Sequence, residues 1–336
     1  MTQTFEIAVI GATGTVGETL VQILEELDFP VGTLYLLAGS NSAGASVPFR
    51  GKNVRVKEVD EFDFKKVQLA FFAAGPAVTL SFASRATAVG CAVIDLSGAL
   101  PADQAPQVVP EVNAHVLKSL KKPFQLSSPS PSATNLAVVL APLRGLLDIQ
   151  RVSVTASLAM SALGREAVSE LARQTAELLN VRPLEPQFFD RQVAFNLLAQ
   201  VGTPDAQGHT ALEKRLVHEL RAVLETPLLK ISATCVQAPV FFGDSLTVSL
   251  QLGAPVDLVA VNRVLDAAPS IERVEEGDYP TAVGDAVGQD VVCVGRVRAG
   301  VDDPSELNLW LTSDNVRKGA ALNAVQLAQL LIKDLV

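Results

Sequence analysis

Residues 5–17 read FEIAVIGATGTVG. The apolar run from Phe5 to Ile10 predicts a strand. The glycines at 11, 14 and 17 predict a tight turn. Val16, Leu20, Ile23, Leu24 and Leu27 then fall on one helical face, which predicts an amphipathic helix. Strand, glycine turn and helix in that order are the setting a dinucleotide-binding fingerprint requires. Gly11 permits the turn, and Gly14 lets backbone approach a pyrophosphate, whose charge meets the unpaired N–H groups of the helix N-terminus. Glycines that merely turn the chain are the alternative, and the correct flanks on both sides weigh against it.

Outward from this stretch, GTLYLLA (32–38), VQLAFFAA (67–74) and CAVIDLS (91–97) read as strands that alternate with helices. Such alternation predicts an α/β, Rossmann-like, doubly wound parallel sheet with helices on both faces. An NAD site carries an acid about 20 residues beyond the fingerprint, at the end of the second strand. Residues 38–42 here are Ala-Gly-Ser-Asn-Ser. No carboxylate stands there to repel a 2′-phosphate, and Ser40, Asn41 and Ser42 offer donors to one. The expected cofactor is NADP. NAD stays open, as does a polar loop that touches nothing.

The Ser/Pro-rich stretch SSPSPSATN (127–135) marks a boundary. Beyond it VSVTASLAM (152–160), KISATCVQAPV (230–240), LTVSLQLGAPV (246–256), VVCVGRVR (291–298) and LNLWLT (307–312) read as long strands. One helix is expected over 164–179, with Val168, Leu171, Ala172, Thr175, Leu178 and Leu179 inward. Another is expected over 210–225, with Leu212, Leu216, Leu220, Val223 and Leu224 inward. This predicts a second α+β domain with a large mixed sheet, helices on one face and an open face that needs a partner. Ser313-Asp314-Asn315 is read as the cap of a last helix over 316–333. The expected domains are 1–130 with the C-terminal helix 316–336, and 131–315.

Length and composition set the class. The chain has 336 residues, 49% hydrophobic and 5% aromatic, enough for two domains with separate cores. A formal charge of −9 argues against nucleic acid as partner. No apolar run approaches a membrane span, and no leader-like N-terminus is evident, so a cytoplasmic location is expected. The cysteines at 91, 235 and 293 make neither a disulfide framework nor a metal spacing, and read as small buried hydrophobes; no metal is expected.

On the motifs IAVIGATGTVG, LLAGSNSAG, VVPEVNAH (108–115), VAFN (193–196), SATCVQAPV (232–240) and SDNVRKGAALNAVQ (313–326), the chain resembles the bacterial aspartate-semialdehyde dehydrogenases from residue 5 to its C-terminus. The resemblance implies a homodimer with an N-terminal NADP domain and a C-terminal domain for substrate and dimerisation. It implies that the final helix returns to the cofactor and brings Asn323 near the nicotinamide. The candidate cofactor-binding residues are Gly11, Thr13, Gly14, Thr15, Val16, Ser40, Asn41, Ser42, Gly75 and Asn323. The chemistry implied is attack of a cysteine thiolate on an aldehyde, with a histidine as base, hydride transfer to NADP and release of the thioester by phosphate. Arginines hold the substrate carboxylate and the phosphate.

At the matching positions those residues are replaced. Counting back without gaps from Leu140-Ala141-Pro142-Leu143, the nucleophile falls on Pro131, which has no nucleophilic atom. The family's glutamine falls on Leu158, its substrate arginine on Gln237, its histidine on Asp244 and its phosphate arginine on Pro101. One cation survives as Arg215. In this the chain resembles the catalytically depleted Usg-type homologues of the family. Ser130 and Ser132 flank Pro131 and read as helix caps, since a serine nucleophile needs an adjacent base. Asp244 is the one base candidate at the right place, a poor one if its pKa is the ordinary 3.9 or so. His115, His209 and His218 receive no role, and Lys318 reads as solvated. The expected function is an NADP-binding homodimeric homologue of an amino-acid biosynthetic dehydrogenase that has lost turnover, a pseudoenzyme. An active NADP-dependent oxidoreductase of altered substrate, with Asp244 as base, is one alternative. A non-enzymatic dimeric scaffold for an unidentified protein partner is another.

Overall fold

Apolar residues that alternate in contact with two different cores build the first sheet. The computed structural model describes residues 3–333. Its strands are β1 (Phe5–Ile10), β2 (Val31–Ala38), β3 (Ser46–Phe49), β4 (Lys52–Glu58), β5 (Leu69–Phe72), β6 (Ala92–Asp95) and β7 (Gln125–Ser127), in the order β3-β4-β2-β1-β5-β6-β7. Ile7, Val9, Leu36 and Phe71 pack into one core with Leu20, Ile23 and Leu24 of helix α1 (Thr15–Glu26). Ala8, Ile10, Leu37 and Phe72 pack into the other with Phe82, Ala83 and Ala86 of helix α2 (Pro76–Thr87). A buried parallel sheet is apolar on both sides for this reason. All pairs are parallel except β3 with β4. The expected doubly wound parallel sheet thus carries one antiparallel edge strand, where a hairpin through Arg50 and Gly51 joins β3 to β4. The short helix α3 (Pro110–Asn113) precedes β7.

Strand order reverses between β1, which pairs β2 on one side, and β5 on the other. Open α/β sheets bind ligands at such a switch point, beyond the carboxyl ends of the strands. The segments beyond β1 and β5 are Gly11–Gly14 and Ala73–Gly75.

The second sheet runs β11-β12-β13-β10-β8-β9. Its strands are β8 (Ile149–Leu158), β9 (Lys230–Gln237), β10 (Asp244–Leu252), β11 (Ile271–Arg273), β12 (Val292–Ala299) and β13 (Glu306–Ser313). The helices are α4 (Pro131–Arg144), α5 (Arg165–Leu179), α6 (Ala211–Val223) and α7 (Leu258–Asp266). On one face Val152, Val154, Ala156, Leu246, Val248 and Leu250 are buried. The opposite face of the same strands carries Ser153, Thr155, Ser157, Ser245, Thr247 and Ser249. The open face of β8 and β10 is therefore hydroxyl-lined.

Contacts divide the chain into two compact units. One reaches to Ser130 and resumes at Ala320; the other is Pro131–Gly319. Residues 1, 2 and 334–336 of the expected first domain lie outside the described residues. Three burial expectations fail. Leu27 is 39% and Leu179 72% exposed, and Ala172 faces solvent. The α5 face turned inward carries Glu170 and Gln174 beside Ala167 and the expected Leu171. Glu170 accepts from Arg173, Gln174 and the Gln187 N–H, and Gln174 accepts from the N–H groups of Val193 and Ala194. A polar core thus holds the loop that follows α5, which hydrophobic periodicity does not register. The expected single helix over 316–333 is also corrected. Asp314 Oδ1 does accept from the N–H groups of Val316 and Arg317 as a cap. The chain then winds as π turns over Arg317–Leu322, with Gly319 N–H on the Asp314 carbonyl, before helix α8 (Asn323–Leu331) begins.

Candidate functional site

The first group of candidates gathers at the switch point of the first unit. Gly11 has φ +84, and a Cβ there would lie 2.5 Å from the Ala73 carbonyl oxygen. A Cβ on Gly17 would lie 2.2 Å from the Gly11 oxygen. Both glycines are thus required by close backbone approach. Gly14 caps α1 and Gly75 caps α2 in extended backbone, and neither helix start has a side-chain cap. The opening N–H groups of α1 remain available to an anion, whereas α2 opens on Pro76, which has no N–H, and offers that of Ala77; Thr13, Thr15 and Val16 stand in the turn that starts α1.

Ser40, Asn41 and Ser42 form one exposed 3₁₀ turn after β2. Two charged residues near this segment escaped sequence reading. Parallel pairing puts Glu58 in register with Ala38, and the Arg55 guanidinium lies 3.8 Å from where a Gly44 Cβ would stand. Only the unforeseen β3–β4 hairpin brings them there.

Asn323 is wholly buried. Its Nδ2 donates to the Val108 carbonyl (3.2 Å) and to Ser128 Oγ (2.8 Å), and its Oδ1 has no partner. A buried acceptor left open in this way fits a group that donates, as a carboxamide does. The two uncapped helix starts, the tight glycines and this open acceptor together fit a dinucleotide.

The second group lies in the Pro131–Gly319 unit. Leu158 is in register with Gln237, Ser157 with Ser245, and Asp244 with Ser313. Gln237, Leu158, Asp244 and Ser313 therefore form one row across β9, β8, β10 and β13, on the covered face. Gln237 and Asp244 are each 1% exposed. Gln237 Nε2 donates to the Leu158 carbonyl (2.9 Å), and its Oε1 is buried without a partner. Asp244 Oδ1 accepts from the Ala159 N–H (2.9 Å). Burial pushes the Asp244 carboxyl up to about 7, against the Ala159 hydrogen bond and with the like charge of Asp314 adding to the rise. The expected ordinary aspartate is corrected by that burial.

Pro131 is the first residue of α4, where a proline needs no N–H partner. A Cβ on Gly319 would lie 2.6 Å from the Pro131 Cβ and 3.3 Å from Asn135 Nδ2. Asn135, one helical turn after Pro131, is fully buried with both amide atoms unpartnered. Ser132 is buried as the second helical residue, so Ser130 holds the cap position. Arg215 donates to the buried Glu219 (2.7 Å), while its Nη2 is buried without a partner. Lys318 is wholly buried rather than solvated, because the turn from Val316 to Leu322 is interior. Pro101 belongs to the other unit. It is exposed and opens a turn whose approach is held by the buried Asp95, which accepts from Ser97 and Leu100.

Cys91, Cys235 and Cys293 are buried, their thiols pushed up to about 12, 12 and 11 chiefly by burial. His115, His209 and His218 are all exposed. A further network was not legible in advance. Asn315 Nδ2 donates to Ser161 Oγ (3.0 Å), and its Oδ1 accepts from the Gly243 N–H (3.0 Å). It ties together the loops that flank the row.

Residues 6–120 match the semialdehyde dehydrogenase NAD-binding domain, and residues 140–318 match the semialdehyde dehydrogenase dimerisation domain. The chain belongs to the semialdehyde dehydrogenase family. Relatives within it include the USG-1 protein homolog of Azotobacter vinelandii, 60% identical over 333 residues, and aspartate-semialdehyde dehydrogenase 2 of Vibrio cholerae, 40% identical over 335 residues. Each comparison covers 99% of both chains. A solved structure of a probable aspartate-semialdehyde dehydrogenase from Pseudomonas aeruginosa matches with TM-score 0.97 at 59% identity, over 99% of this chain and 100% of that one. Aspartate semialdehyde dehydrogenase II of Vibrio cholerae complexed with ASA matches with TM-score 0.96 at 40% identity, over 99% of each. As a semialdehyde dehydrogenase family member the chain carries an NAD(P)-binding domain and a dimerisation domain. No helix among the described residues is long and apolar enough to cross a membrane.

Proposed function

We propose that this chain is an NADP-binding, homodimeric, cytoplasmic member of the semialdehyde dehydrogenase family without dehydrogenase turnover. The observation that carries the reading is at the head of α4. Pro131 stands there with no nucleophilic atom, while every thiol of the chain is buried elsewhere and held protonated well above neutrality. Covalent catalysis needs a thiolate or an activated hydroxyl. All three histidines face solvent, whereas Ser132 is buried. Loss of a positioned base removes typically 10²–10⁴-fold, and loss of the nucleophile closes the covalent route altogether.

In this reading Gly11, Thr13, Gly14, Thr15, Val16 and Gly75 hold the pyrophosphate at the two uncapped helix starts, and Asn323 orients the nicotinamide amide. Ser40, Asn41 and Ser42, with Arg55 beside the same segment, take the 2′-phosphate. Bound, the cofactor would supply a hydride acceptor. A steady-state assay with aspartate semialdehyde, phosphate and NADP tests the proposal. No NADPH formation above the blank is expected, and turnover within a few-fold of an active family dehydrogenase overturns it.

One observation favours a second reading, an oxidoreductase of altered substrate that needs no thioester. An aspartate held near 7 is a competent general base at neutral pH, and Asp244 is such a group. A screen of neutral aldehydes and alcohols for NADPH absorbance decides it. No signal with any of them, in a protein shown to bind the cofactor, removes this reading.

A further inference from the structure

The row at the end of the second sheet has an unusual polarity. Gln237 is oriented without ambiguity, because the Leu158 carbonyl only accepts and so requires the amide nitrogen at 2.9 Å. The Oε1 atom is turned the other way, buried and unpartnered. Two strands along, Asp244 has the Ala159 N–H as its hydrogen-bond donor, and the charge acting on it is that of Asp314, of the same sign. Ser313, in register with Asp244, has an unpartnered buried hydroxyl. Between the two acceptors stands the apolar Leu158. At a strand spacing of about 4.8 Å, the backbones of β9 and β10 lie roughly 10 Å apart across it. The row lies at the rim of the sheet, where the loop after β9 carries the exposed Phe241.

We propose that this row is a binding site for a short aliphatic amine, its ammonium group at Asp244, its methylene chain over Leu158, and a second donor at Gln237 Oε1. The proposal rests on the reading above that these positions descend from a substrate site, and it inverts the ligand charge expected there. A carboxylate brought to the row would face two acceptors and a second buried acid, Asp314. An ammonium supplies the donors and the countercharge that the row lacks.

Matched four-carbon probes test this by calorimetry on the full chain at pH 8: 1,4-diaminobutane, succinate and 1,4-butanediol. The diamine is expected to bind at least about tenfold more tightly than either of the others, since a buried charged hydrogen bond is worth more than a neutral one. Asp244→Asn keeps an acceptor for the Ala159 N–H and is expected to remove that preference. Gln237→Leu, of similar size, is expected to weaken the diamine while retaining its advantage over succinate. Succinate or butanediol binding as tightly as the diamine overturns the proposal. So does no binding by any probe, the outcome expected if the row holds only buried water. NADPH titration of the same sample keeps the two readings apart: if NADPH binds and the diamine does not, the amine site alone fails.

Discussion

At Pro131 the chain carries a closed ring close to Gly319, where the proposed reading puts the family's reacting thiol. Restoring the thiol does not restore the environment around it. Pro131→Cys is expected to yield no measurable oxidation of aspartate semialdehyde, because in the proposed reading Gln237 offers the substrate carboxylate no positive charge. Efficient turnover from that single change would refute the account of the row. Asp244 makes its own prediction. Its carboxyl is raised from an ordinary value near 3.9 to about 7, so the folded state holds a proton that the unfolded chain releases earlier. The stability this proton confers is complete below pH 4 and is lost as pH rises through 7. Urea unfolding of Asp244→Asn should show little of this slope, and the variant should exceed the parent above pH 7 by on the order of a few kcal/mol. A parent as stable at pH 8 as at pH 5 would contradict it. The cysteines make a third case. Buried thiols held near 11–12 should not react with Ellman's reagent until the chain unfolds, when three groups appear.

At the scale of elements, α1 shows how local sequence and packing share the work. Its glycines were readable because each meets a backbone constraint that any dinucleotide turn imposes. A Gly17→Ala methyl would sit 2.2 Å from the Gly11 carbonyl oxygen, and thermal unfolding should show a loss of about 1–3 kcal/mol. Gly14→Val fills the space at the helix start and should abolish NADPH binding by calorimetry while leaving the second unit folded. In α5 the periodic apolar pattern held for Val168, Leu171 and Leu178 but not for Leu179, which is exposed, and it did not register the buried Glu170 and Gln174. Glu170→Ala removes the acceptor of Arg173, Gln174 and the Gln187 N–H. It should cost about 1–3 kcal/mol and speed proteolysis between Gln187 and Ala194. The last helix divides for a comparable reason. Asp314 caps it as a local rule predicts, and the backbone winds as π turns, with Gly319 passing close to Pro131, before α8. Nothing in the residues 316–333 taken alone announces that contact.

At the scale of the whole molecule, cofactor binding couples to stability. NADPH at one hundred times its Kd should raise unfolding free energy by about 2.7 kcal/mol, read as a thermal shift. No shift at millimolar cofactor would leave only the dimeric scaffold. Much of this organisation was legible in sequence, for a physical reason. A glycine turn between an apolar strand and an amphipathic helix is a local constraint, and so are the apolar runs that became β1, β2, β5, β6, β8, β9, β10, β12 and β13. The motif resemblance singled out Pro131, Leu158, Gln237 and Asp244 as candidate positions without any coordinates. The short strands β3, β4, β7 and β11 were missed because each is stabilised by the neighbour it pairs with rather than by its own pattern. Residue identities alone determined the glycine turn of a dinucleotide-binding domain at Gly11–Gly17 and the absence of a thiol at position 131. Only the tertiary structure decided that Gln237, Leu158, Asp244 and Ser313 share one buried row, that Asp244 there holds its proton to about 7, and that Lys318 lies inside. Register and burial are set by residues distant in the chain, so no local stretch could have encoded them.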